Sequence, residues 1–345
     1  MNKKLKALKI ILKVKRKLNN LFGNSPKQVY LGNRIEQYEN IWQTISAKLG
    51  ADIVKLDRDL WEISKNKKSL RVRLHEFPLD NNIVLKICGR KPLVHKLLSE
   101  QDIPVPSHVT FTADNYTNAI DFFNNRKNSV VVKPCDGYAG LGVTTHIDTI
   151  AELEKAIVIA SLYDDTLMIE EQIVGENYRI LIYKGKILHA VRRTGQHVTG
   201  DGKSTVKQLI NLKPNEASND DDLMFTLSAQ DIKLEDIPEK NKKVLIRSVG
   251  SDFNGGAELR TIYDTVVTED IHDSVAEDAI NSTNVVGALL SGVDIITTDL
   301  GKNLRDTGGI INEVNTTPAL HHHYDINTEK YPEPAYYILN DLLNN

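Results

Sequence analysis

Apolar positions follow two different spacings in the first part of the chain. Apolar residues three and four positions apart predict an amphipathic helix over Ile35–Lys48. Short apolar runs rich in β-branched residues predict strands, at Asp52–Leu56, Ser69–Leu74 and Ile83–Ile87. A further helix begins at about Pro92 and ends before Pro104, because proline lacks the N–H that a helix interior needs. This pattern predicts a small α/β domain and a following helix.

The central part of the chain alternates short strands with polar and glycine-rich segments. We predict a helix at Thr149–Ala160 and a hairpin across Lys184 and Gly185, with strands at SVVVKP, Thr166–Ile173 and KKVLIRSVG. A polar loop is predicted over 194–203, and the Asn-, Asp- and Pro-rich region 211–240 predicts an excursion that contains a helix. A helix over Asp273–Leu290 then leads into a strand that contains Asp294.

Two apolar segments near the end of the chain each carry oxygen ligands. They are GVDIITTDL, with Asp294, and GGIINEVNTTPAL, with Glu313 and Asn315. Glu313 and Asn315 alternate along one predicted strand, so their side chains point to the same face. Two carboxylates and an amide oxygen suit Mg²⁺, which prefers hard oxygen ligands and retains phosphates and waters. The sequence therefore predicts a nucleotide-phosphate site without a Walker P-loop.

The segment CDGYAGLGV follows a strand that contains Lys133 near its end. Its glycines, Gly137, Gly140 and Gly142, let backbone N–H groups approach phosphate oxygens, and Lys133 adds positive charge. Glycine turns after strands are common, so the turn alone indicates phosphate binding only weakly. Its spacing ahead of the acidic cluster strengthens that interpretation.

The next predicted strand ends with Glu170, Glu171, Gln172 and Ile173. Such a strand end can present backbone groups to the edge of an adenine while Ile173 packs on the ring. The alternative is an exposed strand end with two solvated acids. The residues alone do not decide between the two.

Four cations lie in or beside strands that we assign to one sheet: Arg179, Arg193, Lys203 and Arg247. Fixed cations there can neutralise a transferring phosphoryl group or hold a carboxylate with two hydrogen bonds. The alternative for each one alone is a surface charge on a strand. Because all four fall in the segment that also supplies the acidic cluster, a shared site is favoured.

The composition narrows the class of protein. The chain has 345 residues, of which 41% are hydrophobic and 26% charged, as in an ordinary soluble globular protein. A net charge of −3 gives no argument for nucleic acid as a partner. Two cysteines, Cys88 and Cys135, predict no disulfide framework and fit a reducing cytoplasm. No run approaches the roughly 18 apolar residues that a membrane span needs.

Residues 1–25 form a basic arm without an acidic residue, with charges at Lys3, Lys4, Lys6, Lys9, Lys13, Lys15, Arg16 and Lys17. Leucine and isoleucine residues of the arm fall near one helical face. One interpretation is a helix that makes weak contact with an anionic membrane surface or another polyanion. The other is a solvated arm or one that packs in an oligomer. A secretory signal is not expected, because lysines interrupt the apolar positions.

The chain resembles the ATP-grasp superfamily of carboxylate–amine ligases, most closely the ATP-grasp portion of cyanophycin synthetase. Residues 89–320 carry matching segments in the family's order: RKPLVHKLLSEQDIPVP, VVVKPCDGYAGLGV, IEEQIVGENYRILIYKGKILHAVRR, HVTGDGKSTVKQLI, IRSVGSDFNGG, SGVDIITTDL and INEVNTTPAL. HVTGDGK is the segment most specific to the branch that holds cyanophycin synthetase and bifunctional glutathione synthetase.

This resemblance implies an α/β (α+β) fold in which two antiparallel sheets hold ATP. The implied domains are the arm 1–25, an N-terminal α/β domain 26–90, a small lid domain 91–175 and a C-terminal antiparallel-sheet domain 176–345. The relatives are commonly oligomers, so a homo-oligomer is expected.

The resemblance also implies roles for individual residues. Those expected to bind ATP are Lys91, Lys133, Asp136, Gly137, Gly140, Gly142, Glu170, Glu171, Ile173 and Asn177. Those expected around the transferring phosphoryl group and the acceptor carboxylate are Arg179, Arg193, Arg247 and Lys203. The Mg²⁺ ligands are Asp294, Glu313 and Asn315, with two ions expected and Mn²⁺ able to replace them. Substrate contact is expected at Gly255, Gly256, His321 and His323.

The implied reaction is the activation of a carboxylate by ATP and its capture by an amine. The substrates would be amino acids or peptides. The alternatives are a tailoring ligase that acts on a peptide or protein terminus, and an ATP-binding regulatory protein without turnover.

Two single residues and one three-residue segment depart from the family pattern. Asn177 stands where an acid near the ribose is usual, Arg192 replaces an acid, and His321–His323 replace an ending that contains arginine. The chain also ends without a Mur-ligase-like domain, so a single ligation is expected rather than two-site polymerisation.

Overall fold

A computed structural model of the protein describes residues 7–14, 26–137, 140–212, 221–228, 230–247, 264–325 and 328–345. Contacts divide the chain into two compact units, each assembled from separate stretches. Unit 1 comprises Met1–Leu18, Ser107–Gln172 and Arg193–Asp264, and unit 2 comprises Asn19–Pro106, Ile173–Arg192 and Thr265–Asn345. The sequential domain division made above stays a prediction.

Unit 2 begins with a long helix over a three-stranded antiparallel sheet. The elements are α2 (Pro26–Leu49), β1 (Asp52–Asp57), β2 (Leu60–Lys65) and β3 (Lys68–Arg73), followed by α3 (Asn82–Cys88) and α4 (Lys91–Ser99). Trp42 of α2 is fully buried, and its Nε1 donates to the Leu74 carbonyl at 2.8 Å. This bond satisfies the one polar atom of a large apolar side chain, so the indole can fill the core.

The remainder of unit 2 is built around a five-stranded sheet in the order β12-β9-β8-β13-β14. Its strands are β8 (Glu176–Tyr183), β9 (Lys186–Arg193), β12 (Thr265–Val266), β13 (Leu290–Thr297) and β14 (Ile310–Thr316). The helices are α9 (Asp273–Val286), α10 (Leu304–Thr307) and α11 (Glu333–Asn344), with 3₁₀ turns at Thr268–Asp270 and Leu320–His322. The central strand β13 is antiparallel to both β8 and β14.

Unit 1 contains a four-stranded sheet in the order β4-β7-β5-β6, with β4 (His108–Thr112), β5 (Val130–Pro134), β6 (Thr144–Ile147) and β7 (Thr166–Glu171). Helices α5 (Thr117–Asn124) and α6 (Ile150–Ala160) contribute to its apolar core. Unit 1 also contains a two-stranded sheet, in which β10 (Gln196–Thr199) pairs with β11 (Lys243–Arg247). Helices α7 (Val206–Asn211) and α8 (Asp221–Ser228) belong to the same small apolar core. Residues 7–14 form helix α1, in which Ile10, Ile11 and Val14 are exposed.

The predicted fold class is confirmed, and most predicted elements are found. The Ile83–Ile87 strand is wrong, because this run lies within α3. The Asn81 side chain accepts from the N–H groups of Ile83 and Val84, and this cap starts a helix in a run that β propensity alone assigns to a strand. The loop over 194–203 is partly wrong, since it contains β10. Strand β2 has no counterpart among the predicted elements.

Cys88 and Cys135 are both free cysteines, and Cys135 is buried. None of the helices in the described ranges combines the length and apolar character needed to cross a bilayer. Contact of the basic arm with an anionic surface stays a prediction.

Gly175 is expected to tolerate no side chain. Its φ is +155°, and a Cβ there would lie 2.5 Å from the backbone carbon of Thr297. We expect Gly175→Ala to lower the free energy of unfolding by about 1–3 kcal/mol or more, because strain and a backbone clash add. Gly185→Ala is the matched control, since φ is +71° but nothing lies within 4 Å of its Cβ position. Urea unfolding measures both, and equal losses would contradict the clash.

Helix α11 is expected to lose stability in acid. Asp341 Oδ2 accepts from Lys184 Nζ at 2.7 Å and from the Tyr183 hydroxyl at 2.6 Å, and these bonds lower the pKa of Asp341 from 3.8 to about 2. A carboxyl with a lowered folded pKa stabilises the fold above its unfolded pKa, and the contribution is lost as pH falls through the folded value.

We therefore expect Asp341→Asn to be less stable than wild type at pH 7, with the difference shrinking as pH falls from about 4 to about 2. Urea unfolding across this range measures the difference. A difference that does not change with pH would show that the ionised carboxylate is not the stabilising group.

Candidate functional site

The predicted acidic cluster of unit 2 is found on neighbouring strands. Asp294 lies on the central strand β13, directly opposite Glu313 of β14 and Arg179 of β8. Asn315 follows Glu313 on the same face. Its Nδ2 donates to Asp294 Oδ2 at 3.0 Å and lies 3.4 Å from Glu313 Oε2. The three side chains predicted as ligands are therefore in mutual contact.

Two buried cations accompany these carboxylates. Arg179 donates from Nε and Nη2 to the two oxygens of Asp294, each at 2.7 Å. Lys91 Nζ lies 3.1 Å from Glu313 Oε1. The side chains of Arg179 and Lys91 are 6% and 9% exposed, so each charge is held within the protein rather than in solvent. This balance lets two carboxylates lie together without an uncompensated negative charge.

The donor set fits a magnesium ion. Within the described ranges, no group of three or more His, Cys, Asp or Glu side chains could hold a metal ion. The cluster offers two carboxylates and an amide, which suits an ion that keeps phosphate and water among its ligands. The Asn315 amide directs Nδ2 at the carboxylates, and rotation by half a turn would direct its oxygen there instead.

Unit 1 contains a second buried ion pair. Lys133 Nζ lies 2.7 Å from Glu170 Oε1, and the side chains are 5% and 6% exposed. Glu170 Oε2 is also buried, and no hydrogen-bond partner reaches it from the part of the chain that the structure describes. A buried carboxylate oxygen without a donor is costly, so this position suits a donor such as the exocyclic amine of adenine. The sequence prediction used only the backbone here and missed this side-chain pair.

The glycine-rich turn after β5 has the backbone that its glycines allow. Gly140 and Gly142 have φ of +70° and +78°, in the left-handed region. A Cβ at Gly142 would lie 2.7 Å from the Tyr163 ring. The N–H of Asp136 donates to Asp164 Oδ2 at 2.8 Å, which ties the start of the turn to the same unit. Gly137 is half-buried, and residues 138–139 lie outside the described residues.

The predicted adenine-contact residues lie at strand ends. Glu171 ends β7 and accepts from Asn128 Nδ2 at 3.0 Å. Ile173 follows β7 and is half-buried. Asn177 is the second residue of β8, opposite Ile296. Their roles toward a nucleotide stay predictions.

The assignment of the four cations to one sheet is wrong. Arg179 and Arg193 lie on β8 and β9 of the five-stranded sheet, whereas Arg247 ends β11, which pairs with β10. The error arises because local periodicity identifies a strand but not its partner.

Lys203 is exposed in a turn that is held by hydrogen bonds to the Asp201 side chain. The N–H and hydroxyl of Ser204 and the N–H of Lys203 donate to Asp201 and lower its pKa to about 2.

The predicted substrate contacts are either outside the described residues or buried in unit 2. Gly255 and Gly256 lie outside the described residues, as does the side chain of Arg247. His321 and His323 are buried in unit 2, at 4% and 1% exposure. His321 Nδ1 lies 2.9 Å from the Tyr38 hydroxyl, and His323 Nδ1 lies 3.2 Å from His189 Nδ1. A substrate role for these histidines stays a prediction.

One residue near the acidic cluster was absent from the sequence predictions. His95 lies one helical turn beyond Lys91 in α4, and its Nε2 lies 2.9 Å from the Asn312 carbonyl oxygen. The four-residue spacing from Lys91 was the available signal, since such residues share a helix face.

Known proteins with related sequences are larger than this chain. No family model matches it. It is 29% identical over 247 residues to a cyanophycin synthetase from a Nostoc species, covering 68% of this chain and 26% of the relative. It is 32% identical over 285 residues to the glutathione biosynthesis bifunctional protein of Streptococcus mutans, covering 76% of this chain and 36% of that protein.

Among solved structures, the chain is similar to a bifunctional glutathione synthetase from Pasteurella multocida. The TM-score is 0.59 at 21% identity, over 89% of this chain and 43% of that one. At this identity the similarity shows the fold. The chain is a homologue of cyanophycin synthetase and bifunctional glutathione synthetase, and its fold is that of the ATP-grasp ligases.

Proposed function

We propose that the protein is an ATP-dependent ligase that joins an amino-acid or peptide carboxylate to an amine, with release of ADP and phosphate. The observation that carries this proposal is the contact among Asp294, Glu313 and Asn315, flanked by the buried cations Arg179 and Lys91. Such a cluster suits a metal-bound phosphate chain. The homology to two amide-forming ligases supports the same reaction class.

The proposed reaction has two steps. A substrate carboxylate oxygen attacks the γ-phosphorus of ATP, the bond to ADP breaks, and an acyl phosphate forms. The amine nitrogen then attacks the acyl carbon, the carbon–oxygen bond breaks, phosphate leaves and the nitrogen loses a proton. When bound, Mg²⁺ would neutralise charge on the phosphate oxygens.

The protein would contribute binding, orientation and fixed charge. Asp294, Glu313 and Asn315 would hold the metal, with Arg179 orienting Asp294. Lys91 and Lys133 would compensate phosphate charge, and the turn that contains Gly140 and Gly142 would present N–H groups. Glu170 Oε2 would accept from the adenine amine. Arg193, Lys203 and Arg247 would act on the transferring phosphoryl group or the acceptor carboxylate.

The substrates are proposed as an amino acid or short peptide and the α-amino group of an amino acid. A tailoring ligase of a longer peptide is the second candidate among enzymes. An ATP-binding regulatory protein without turnover is the alternative from another class. The retained Asp294, Glu313 and Asn315 favour the ligase, and measured turnover separates the two.

The proposed activity is tested by ADP release and hydroxamate formation with Mg²⁺, ATP and hydroxylamine, across amino acids and dipeptides. Hydroxylamine replaces the unknown amine and captures the acyl phosphate. We expect Glu313→Gln to lower hydroxamate formation by at least about 100-fold. Even the mutation of a residue that only supports a metal ligand lowers metal affinity or activity by about 10–100-fold.

The matched control is Glu277→Gln, an exposed carboxylate on α9, which should retain wild-type activity. Circular dichroism checks that Glu313→Gln remains folded. Hydroxamate formation at the wild-type rate in Glu313→Gln would contradict the metal assignment. Absence of hydroxamate for every substrate, with ATP bound, would instead favour a longer peptide or the regulatory alternative.

The base contact of Glu170 is tested by comparing ATP with ITP, in which an oxygen replaces the exocyclic amine. Glu170→Gln keeps an oxygen for Lys133 and places an amide donor where Oε2 lies. This donor opposes the adenine amine but suits the inosine oxygen. We expect the ratio of ATP to ITP affinity to fall by about tenfold or more, since an unsatisfied buried donor costs about 1–3 kcal/mol.

Calorimetry measures both affinities. Glu171→Gln is the control, because that carboxylate is half-buried at the same strand end and bonded to Asn128. An unchanged ratio in Glu170→Gln would show that its side chain does not face the base.

A further inference from the structure

Helix α4 places two polar side chains against strand β14. Lys91 and His95 are four residues apart and are both buried, at 8% and 1% exposure. Lys91 Nζ lies 3.1 Å from Glu313 Oε1, and His95 Nε2 lies 2.9 Å from the Asn312 carbonyl oxygen. Because a carbonyl only accepts, the Nε2 of His95 carries the proton and donates it.

Asn312 is the extra residue of a β-bulge. Asp294 pairs with Glu313, but the next pair joins Ile295 to Ile311, so Asn312 has no opposite residue on β13. A bulge turns the neighbouring side chains and interrupts the ladder of backbone hydrogen bonds. Here it lies directly before the proposed metal ligand Glu313.

The polar groups of the bulge are bonded from the α4 side of the strand. His95 donates to the Asn312 carbonyl, and the Ile311 N–H donates to the Pro104 carbonyl at 2.8 Å. Among the residues that the structure describes, strand β14 is at the edge of its sheet, and no further strand there supplies these bonds. Asn312 is half-buried, and the hydrogen bond that its carbonyl accepts from the buried His95 stabilises the bulged conformation.

We infer that His95 is a positioning residue that fixes the Asn312 bulge and thereby directs the Glu313 carboxylate toward Asp294 and Asn315. This inference rests on the proposed metal site. His95 does not touch the metal in this scheme. It acts through one backbone carbonyl, as outer residues act on ligands in other metal sites, where their loss costs about 10–100-fold in affinity.

The inference is tested by Mn²⁺ binding to the full chain, measured by electron paramagnetic resonance, together with urea unfolding. His95→Leu keeps the volume but loses the donor, and we expect the Mn²⁺ dissociation constant to rise about 10–100-fold. His95→Gln keeps a donor nitrogen at similar reach and should remain within about threefold of wild type. His95→Asn is polar, but its side chain is too short to reach the carbonyl. If His95→Leu does not fold, His95→Asn replaces it as the variant without a donor, with the same expected rise in the dissociation constant.

Val94→Ala is the matched packing control. Val94 is 2% exposed in the same helix and belongs to its apolar core, so its truncation should lower stability and leave the Mn²⁺ affinity unchanged. If Val94→Ala weakens Mn²⁺ binding as much as the variants without a donor at residue 95, the effect is general loosening and the inference is overturned.

Glu313→Gln separates this inference from the proposed function. If it removes Mn²⁺ binding while the donor-free variants at residue 95 bind as wild type, the metal site stands and the positioning role is overturned. If Glu313→Gln leaves Mn²⁺ binding intact, the metal site itself is wrong and the inference falls with it. Loss in Glu313→Gln and in the donor-free variants, with recovery in His95→Gln, supports both.

Discussion

The pairing of Asp294 with Arg179 determines how unit 2 can hold negative charge inside a sheet. Asp294 of β13 pairs with Arg179 of β8, and both oxygens of the carboxylate accept from the guanidinium, at 2.7 Å each. On the other side of β13, Glu313 faces the same carboxylate. Without the guanidinium, two like charges would lie together in a half-buried position with only Lys91 to compensate them, which would cost free energy.

The backbone leaves room for this arrangement. Gly292 lies two residues before Asp294, and a Cβ there would be 3.4 Å from Arg179 Cδ and 3.1 Å from Pro318 Cβ. A Cβ at residue 292 would press on Pro318 and would be in ordinary van der Waals contact with the aliphatic part of Arg179. The glycine therefore leaves space beside the Arg179 side chain.

Unit 1 also contains a buried carboxylate that is compensated by a cation, in the pair of Glu170 and Lys133. A buried ammonium compensates one carboxylate oxygen, while the other oxygen faces no donor among the described residues. In both units a carboxylate is held in place by a cation and keeps the capacity to accept from a ligand. Losing the cation would leave a buried charge alone, which costs about 3–5 kcal/mol in comparable pairs, so these contacts serve the fold as well as the site.

The sequence predicted what depends on local spacing. The alternation of Glu313 and Asn315 was sufficient to place them on one face, and the apolar run around Asp294 was sufficient to predict its strand. The pairing of strands could not be predicted, because pairing between distant segments leaves no local pattern in the sequence. Arg247 is the example, since its strand β11 pairs with β10 and not with the five-stranded sheet. The bulge at Asn312 was also not predictable, since it depends on the register of β14 against β13 and on a hydrogen bond from α4.

The central claim is that Asp294, Glu313 and Asn315 hold the metal of an ATP-dependent ligase. The most direct measurement is anomalous diffraction from crystals grown with Mn²⁺ and a non-hydrolysable ATP analogue. The account predicts a manganese peak within about 2.5 Å of oxygen atoms from these three side chains, with phosphate oxygens completing its shell. Bound nucleotide with manganese elsewhere, and none at this cluster, would contradict it.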